Sequence, residues 1–269
     1  MITRVKSSII MVVFLSLFYP LHLVIIAMIG SIEFNIYAII AVGIGSMMSF
    51  AYILFMRSLL IEELSRITIL AYIHPILVAI LAYIIFKEEL NVLDYLALAL
   101  LLGSSSLISY RKDLRISRAL IPMLGLNLAM SVEYIIMKYI LLLIPYTSYL
   151  FWFTFGLIVS RIFLLFNRDI KKRTLSLLTN KNSLYYGITI SILFLISNIL
   201  IVYVTSFKEV SLIASIIASQ PLITLTLIYI VNNVKYNFID EDLSYTSLIQ
   251  KIISAIMVVI SLYIFASND

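Results

Sequence analysis

Apolar runs of roughly 20 residues follow one another along almost the whole chain, separated by short breaks that carry charge, Pro or Asn. An α-helix needs about 20 predominantly apolar residues to cross the hydrocarbon core of a bilayer. By that measure the runs predict spans near 8–29, 36–57, 65–86, 92–110, 118–141, 147–166, 183–206, 211–232 and 247–266. In lipid, backbone polar groups must be satisfied within the protein, so runs of this length read as helices. The expected fold is an all-α integral membrane protein of about nine transmembrane helices. The longest gaps, 167–182 and 233–246, leave no room for a soluble domain. Arg4 and Lys6 before the first run give it the look of a signal peptide. The run is too long for that and no small-x-small cleavage site follows, so it is expected to remain as the first helix.

The runs also repeat. A register of 146 residues lays Glu63, Ser65 and Pro75 on Glu209, Ser211 and Pro221, pairs Tyr83 with Tyr229, and sets His74 opposite Gln220. The order of spans agrees: 8–29 falls on 147–166, 36–57 on 183–206, 65–86 on 211–232 and 92–110 on 247–266, while 118–141 has no partner. The chain therefore divides into a four-helix first half, 1–115, and a five-helix second half, 116–269. A displacement of five crossings reverses direction through the membrane, which makes the halves an inverted repeat. Secondary transporters are commonly built this way, with the substrate site near the bilayer midplane. The alternative is chance similarity among Ile-rich helices.

Composition narrows the chemistry. Hydrophobic residues make up 63% of the chain and charged residues 12%, with a mean hydropathy of +1.12, too little charge for a soluble surface. The absence of cysteine removes disulfides and thiolate chemistry, leaving O and N groups for any site. The net charge of +5 sits in short loops and reads as a topology signal, not a nucleic-acid surface. With the N-terminus inside, sixteen of the 19 Lys and Arg residues fall on the cytoplasmic side, leaving Lys87, Lys138 and Lys208 opposite. That bias predicts a multi-pass protein of the cell membrane with a cytoplasmic N-terminus.

The stretch from Ala51 to Leu59 (AYILFMRSL), the acidic break after it, Pro75, Glu88 thirteen residues later, and Gly103 together resemble a half-repeat of the drug/metabolite transporter superfamily, specifically its EamA-type carriers. The resemblance covers nearly the whole chain and implies a permease exporting a small metabolite or amino-acid-like solute. The chain departs from the family pattern in three ways. Such carriers have ten spans in two five-helix halves, and the span missing here would be the counterpart of 118–141, a cavity-lining first helix, so that either the true start lies upstream of Met1 or the protein lacks that helix. Val234 stands where the first half has Glu88. The last span has no glycine, so its close helix contacts fall to Ser254, Ala255 and Ser261.

The candidate site residues are polar groups deep in spans. His74 and Gln220 precede Pro75 and Pro221, which kink their helices and leave the carbonyls of Ala71 and Ile217 without a helical donor. His74, Gln220, the repeat-equivalent Tyr52 and Asn198, and Asn127 are the expected substrate-binding set; merely kinked helices with interhelical hydrogen bonds are the bland alternative. Glu133 lies roughly 5 Å from the middle of 118–141 at about 1.5 Å per residue. A carboxylate there is costly and suits proton coupling; an ion pair with Lys138 is the competing reading. Tyr19, Tyr37, Tyr149, Trp152 and Tyr185 are expected in interfacial belts, Pro20 and Pro122 at kinks, and Arg161 snorkelling to the cytoplasmic surface. No spacing of metal ligands, phosphate loop or catalytic triad occurs, so neither a metal nor a cofactor is expected. The expected partners are a small-molecule substrate and the lipid bilayer. Competing readings are a membrane-embedded enzyme acting on lipid and a non-transporting scaffold lacking the first helix.

Overall fold

A computed structural model describes residues 2–74, 76, 77, 80, 81, 84, 91–109, 117–207, 220–234, 242 and 244–268. The elements in chain order are α1 (Ile2–Ser16), α2 (Tyr19–Ile29), α3 (Ile36–Leu59), α4 (Leu64–Leu70) with a 3-10 turn at Ala71–Ile73, α5 (Val92–Ser109), α6 (Leu120–Leu141), α7 (Tyr146–Ile162) with a 3-10 turn at Phe163–Phe166, α8 (Arg168–Thr179), α9 (Lys181–Phe207), α10 (Gln220–Val234) and α11 (Tyr245–Asn268). Among the described residues there is no strand. Six helices are long and apolar enough to cross a membrane: Ser8–Ile29, Ile36–Leu59, Leu120–Leu141, Tyr146–Phe166, Lys181–Ser206 and Tyr245–Ile264. Val92–Ile108 and Ile223–Asn232 are shorter apolar helices. Of the expected span 65–86, α4 and its 3-10 turn are seen, while Pro75, Tyr83, Glu88, Glu209 and Ser211 lie outside the described residues. Rows of exposed apolar side chains, such as Ile188, Ile192, Ile196 and Leu200 on α9, are the surface a lipid-facing helix presents.

The helices pack as two compact units that cut across the sequence halves. One comprises residues 1–57 and 132–207, the other 58–131 and 208–269. The first therefore holds α1, α2, α3, α7, α8 and α9; the second holds α4, α5, α10 and α11. Helix α6 contributes its first part to the second unit and its last part to the first.

In the first unit the span 8–29 is broken between α1 and α2. Pro20 has no N–H for the carbonyl of Ser16. Shorter bonds bridge the break, from Leu17 N to Phe14 O (3.2 Å), Phe18 N to Leu15 O (3.3 Å) and Leu21 N to Phe18 O (3.1 Å). The Ser16 hydroxyl donates back to Val13 O (2.7 Å). Beyond α2, the segment before α3 is tied to α7: Thr147 and Ser148 hydroxyls donate to Ser31 O, and the Trp152 indole N–H donates to Glu33 O (2.7 Å). Asn35 then caps α3 by accepting from Tyr37 N and Ala38 N.

Helices α3 and α7 meet backbone against backbone. A Cβ on Gly45 would run into the carbonyl of Phe153, and one on Gly156 into the carbonyl of Val42. The Ser46 hydroxyl donates to Gly156 O (3.2 Å) across the same crossing. Such approach is open only to residues without a side chain.

The gap 167–182 contains α8, a helix the apolar runs do not reveal because it is amphipathic. Asn167 caps it by accepting from Asp169 N (3.1 Å) and Ile170 N (3.3 Å), and Arg173 pairs with Asp169 one turn on (3.0 Å). Its apolar face, Ile170 with Leu177, packs on Ile10 and Val13 of α1. The basic segment around 168–173 thus lies at the same end of this unit as the start of α1.

In the second unit α5 and α11 form the principal interface. Ser254, Ala255 and Ser261 are all fully buried. Ser261 donates to Ala97 O (2.6 Å), and the Gln250 side-chain amide donates to Leu107 O. A Cβ on Gly103 would press on the flexible end of Met257. These small residues do in α11 what glycine does elsewhere.

The glycine crossing yields a controlled test. Gly45→Ala and Gly156→Ala should each lower thermal stability by at least about 1–3 kcal/mol, since only backbone could yield. Gly43→Ala, with nothing within 4 Å of the added carbon, should leave stability unchanged or raised by about 0.5–1 kcal/mol. Unfolding of the three variants in detergent checks this, and equal behaviour at positions 43, 45 and 156 would refute the crossing.

Candidate functional site

The break between α1 and α2 turns Tyr19 and His22, three residues apart on one helical face, into the interior of the first unit. Tyr19 stacks on His22 (4.8 Å between ring centroids) and on Phe194 of α9 (5.5 Å). His22 Nε2 is hydrogen-bonded to the Ser191 hydroxyl (2.8 Å). Tyr52 of α3 meets Phe194 edge-on at 5.8 Å. Tyr19, Tyr52, Ser191 and Phe194, with Val12, Leu15, Phe55, Met56 and Ile190, line a cavity of about 150 Å³.

Arg161 forms one wall of that cavity. It continues a row of buried residues at four-residue spacing along α7, Tyr149, Phe153, Leu157 and Arg161, so the helix face that builds the core also carries the cation. Its guanidinium carbon lies 5.0 Å from the ring centroid of Tyr19 and 5.7 Å from that of Tyr52. Each such contact is worth about 0.5–2 kcal/mol. Nε donates to the Ser49 hydroxyl (3.0 Å), whereas Nη1 is buried with no hydrogen-bond partner. Among the described residues no carboxylate is paired with it. The expectation that Arg161 snorkels to the surface is overturned: the residue is 2% exposed. Tyr19 and Tyr149 likewise leave the expected belts for the core, while Tyr185 is exposed as an interfacial residue would be.

Of the sequence candidates, Tyr52 lines the cavity. Asn198 is half-buried, its side-chain amide donating to Phe194 O of its own helix (2.7 Å). Glu133 is half-buried on α6, and among the described residues neither it nor Lys138, which is exposed, makes an ion pair. The pairing of Glu133 with Lys138 is therefore not formed.

The remaining candidates belong to the second unit. The His74 Nδ1–H donates to Ala71 O (2.9 Å), so the carbonyl facing the position of Pro75 is satisfied by the preceding side chain. Asn127 is fully buried on α6 and donates to Leu70 O (2.9 Å) and Met123 O (2.7 Å). Ser131 donates to His74 O (3.0 Å) and Asn127 O (2.7 Å). His74 and Asn127 are thus brought together around the carbonyls of one interrupted helix. Gln220 stands exposed at the start of α10 and Pro221 is buried beside it; Ile217 and Pro75 lie outside the described residues.

A second charged centre sits where α4 begins. Lys251 Nζ, fully buried, pairs with Glu63 (2.6 Å) and donates to Asp242 O (2.9 Å). Arg66 reaches Glu63 (3.3 Å), Glu62 (4.0 Å), Ile108 O (2.9 Å) and the Ser247 hydroxyl (3.4 Å), and Ser117 donates to Glu62 (2.6 Å). Desolvation of such ions costs several kcal/mol each and is offset only by complete pairing. Two carboxylates against two cations, each with further hydrogen bonds, meet that condition. The arrangement holds α4, α5 and α11 together.

Removing one member should show this coupling. Glu63→Leu is expected to destabilise by about 3–5 kcal/mol because it strands cations. Glu63→Leu combined with Lys251→Leu should cost less than the sum of the two single changes by at least about 1 kcal/mol. Detergent-melt measurements on the cycle decide it, and strict additivity would count against the pair. The chain matches no protein-family model and no curated protein.

Proposed function

We propose that the protein is a secondary transporter, a multi-pass permease of the EamA kind, that moves a small metabolite or amino-acid-like solute outward across the cell membrane. One observation carries the reading: the membership of the two compact units. Under the 146-residue register, the first unit gathers span 8–29 with its equivalent 147–166 and span 36–57 with 183–206. The second gathers 65–86 with 211–232 and 92–110 with 247–266. Chance similarity gives no reason for equivalent spans to sort together. An inverted-repeat carrier does, because each of its bodies is assembled from both halves so that the inward and outward states can mirror one another.

The cavity beside Tyr52 is where this reading puts the solute, since it joins polar and aromatic groups within a helix bundle. His74 and Asn127, occupied with carbonyls of the interrupted helix, hold that helix open in shape. The docking of α8 on α1 gathers basic residues at one end of the first unit, which supports placing that end and the N-terminus in the cytoplasm. Glu133 is the proton-coupling group, a deep carboxylate without an ion-pair partner among the described residues.

Glu133→Gln tests the coupling. Glutamine keeps size and hydrogen bonding but cannot change charge. Since no Lys138 pair is broken, the melting temperature should not fall. In proteoliposomes given a labelled mixture of amino acids and short-chain organic acids, the variant should lose pH-gradient-driven accumulation yet retain exchange without a gradient. Full gradient-driven accumulation by the variant removes the coupling role. No movement of any labelled solute by the unmodified protein removes the transport reading itself.

A further inference from the structure

We infer that the cavity at Arg161 is a binding site for a carboxylate, so that the solute handled here is a small organic acid or amino acid held by its anionic end. The inference rests on the transport reading only for the word solute; the site itself stands on geometry. A guanidinium is always charged and offers five N–H donors in a planar fork. Here one donor is used on Ser49, the faces of the group are covered by Tyr19 and Tyr52, and Nη1 is buried without a partner. Burying a cation costs several kcal/mol unless an anion answers it. None of the described carboxylates forms an ion pair with it, in contrast to Arg66 and Lys251, which both pair with glutamates.

The surroundings specify the class of anion. The cavity admits a molecule of restricted size: at roughly 10–15 Å³ for one water, about 150 Å³ accommodates on the order of ten heavy atoms. Its walls beyond the cation are almost wholly apolar or aromatic, from Val12, Leu15, Phe55 and Phe194, with the Ser191 hydroxyl as a further polar group. One anionic end and an apolar body of a few carbons fit that distribution. A planar carboxylate matches the planar fork. A multiply charged phosphate would need more donors than one guanidinium and one hydroxyl supply.

The test uses two probes of the same shape, 3-methylbutanoate and its neutral amide, 3-methylbutanamide, on the full chain in uncharged detergent, with unfolding followed by the fluorescence of its one tryptophan. The acid should stabilise the protein and bind at least about tenfold more tightly than the amide, the usual scale for a desolvated charge pair. Arg161→Gln should abolish that discrimination and Arg161→Lys should keep part of it. The comparison of acid with amide on the unmodified protein stands even if the Gln variant fails to fold. Equal affinity for acid and amide overturns the proposal. So does stabilisation by inorganic phosphate or by phosphatidylglycerol that 3-methylbutanoate cannot displace, which would assign the cation to phosphate or to a lipid headgroup. The two readings fail separately: binding of the acid with no solute moved in proteoliposomes removes transport and leaves the site, whereas solute movement with no preference for the acid removes the site and leaves transport.

Discussion

A polar group inside a bilayer has no water to fall back on, and nearly every local feature of this chain answers that constraint. Where Pro20 breaks the first span, shorter backbone bonds and the Ser16 hydroxyl take up the slack. Ahead of Pro75, the His74 ring, Asn127 and Ser131 take up the carbonyls of Ala71, Leu70 and His74. Hydroxyls along the helices, such as Ser104 on Leu101 O and Thr205 on Ile201 O, turn back on their own backbones. The charges at the start of α4 neutralise one another. Arg161 Nη1 is buried without a partner, as are the Asn127 Oδ1, Tyr149, Thr174 and Ser254 oxygens, but it alone among these carries a full charge, and its residue lines the cavity.

Six membrane-length helices were legible because length and apolarity are enough to mark a membrane helix. The inward face of each was not. A helix in lipid is apolar all round, so the periodicity that separates core from surface in water is absent. The row Tyr149, Phe153, Leu157 and Arg161 is visible in the sequence as a four-residue spacing, but equal rows run along the lipid-facing sides of other helices. Distance from the span end alone therefore puts Arg161 near the surface, and the preference of tyrosine for interfaces puts Tyr19 and Tyr149 in the belts. Helix α8 escaped for the opposite reason, being too polar for an apolar-run reading. Asn167, followed by an acidic residue two positions on, was the signal that could have found it. Arg66 and Lys251 were counted as loop charges, and only side-chain packing reveals that both are buried.

The two charged centres divide the labour of a polar interior. In the second unit the buried cations Arg66 and Lys251 are matched by Glu62 and Glu63, and the result is a fastening whose removal should be felt in stability. In the first, the cation is surrounded by aromatic faces and one hydroxyl, which orient it without cancelling its charge. The same residue type thus serves as structure when its counter-ion is built in and as recognition when the counter-ion must arrive from outside.

The crossing of α3 and α7 has a bearing on how such a protein can diverge. At Gly45 and Gly156 the main chains themselves are in contact, leaving no side chain through which a neighbouring substitution could be absorbed, so descendants must inherit both glycines or lose the crossing. A few residues away on α3, Phe55 and Met56 line the cavity and have room on that side for a change of side chain. Lineages could therefore change what the cavity accepts while the frame around it stays the same.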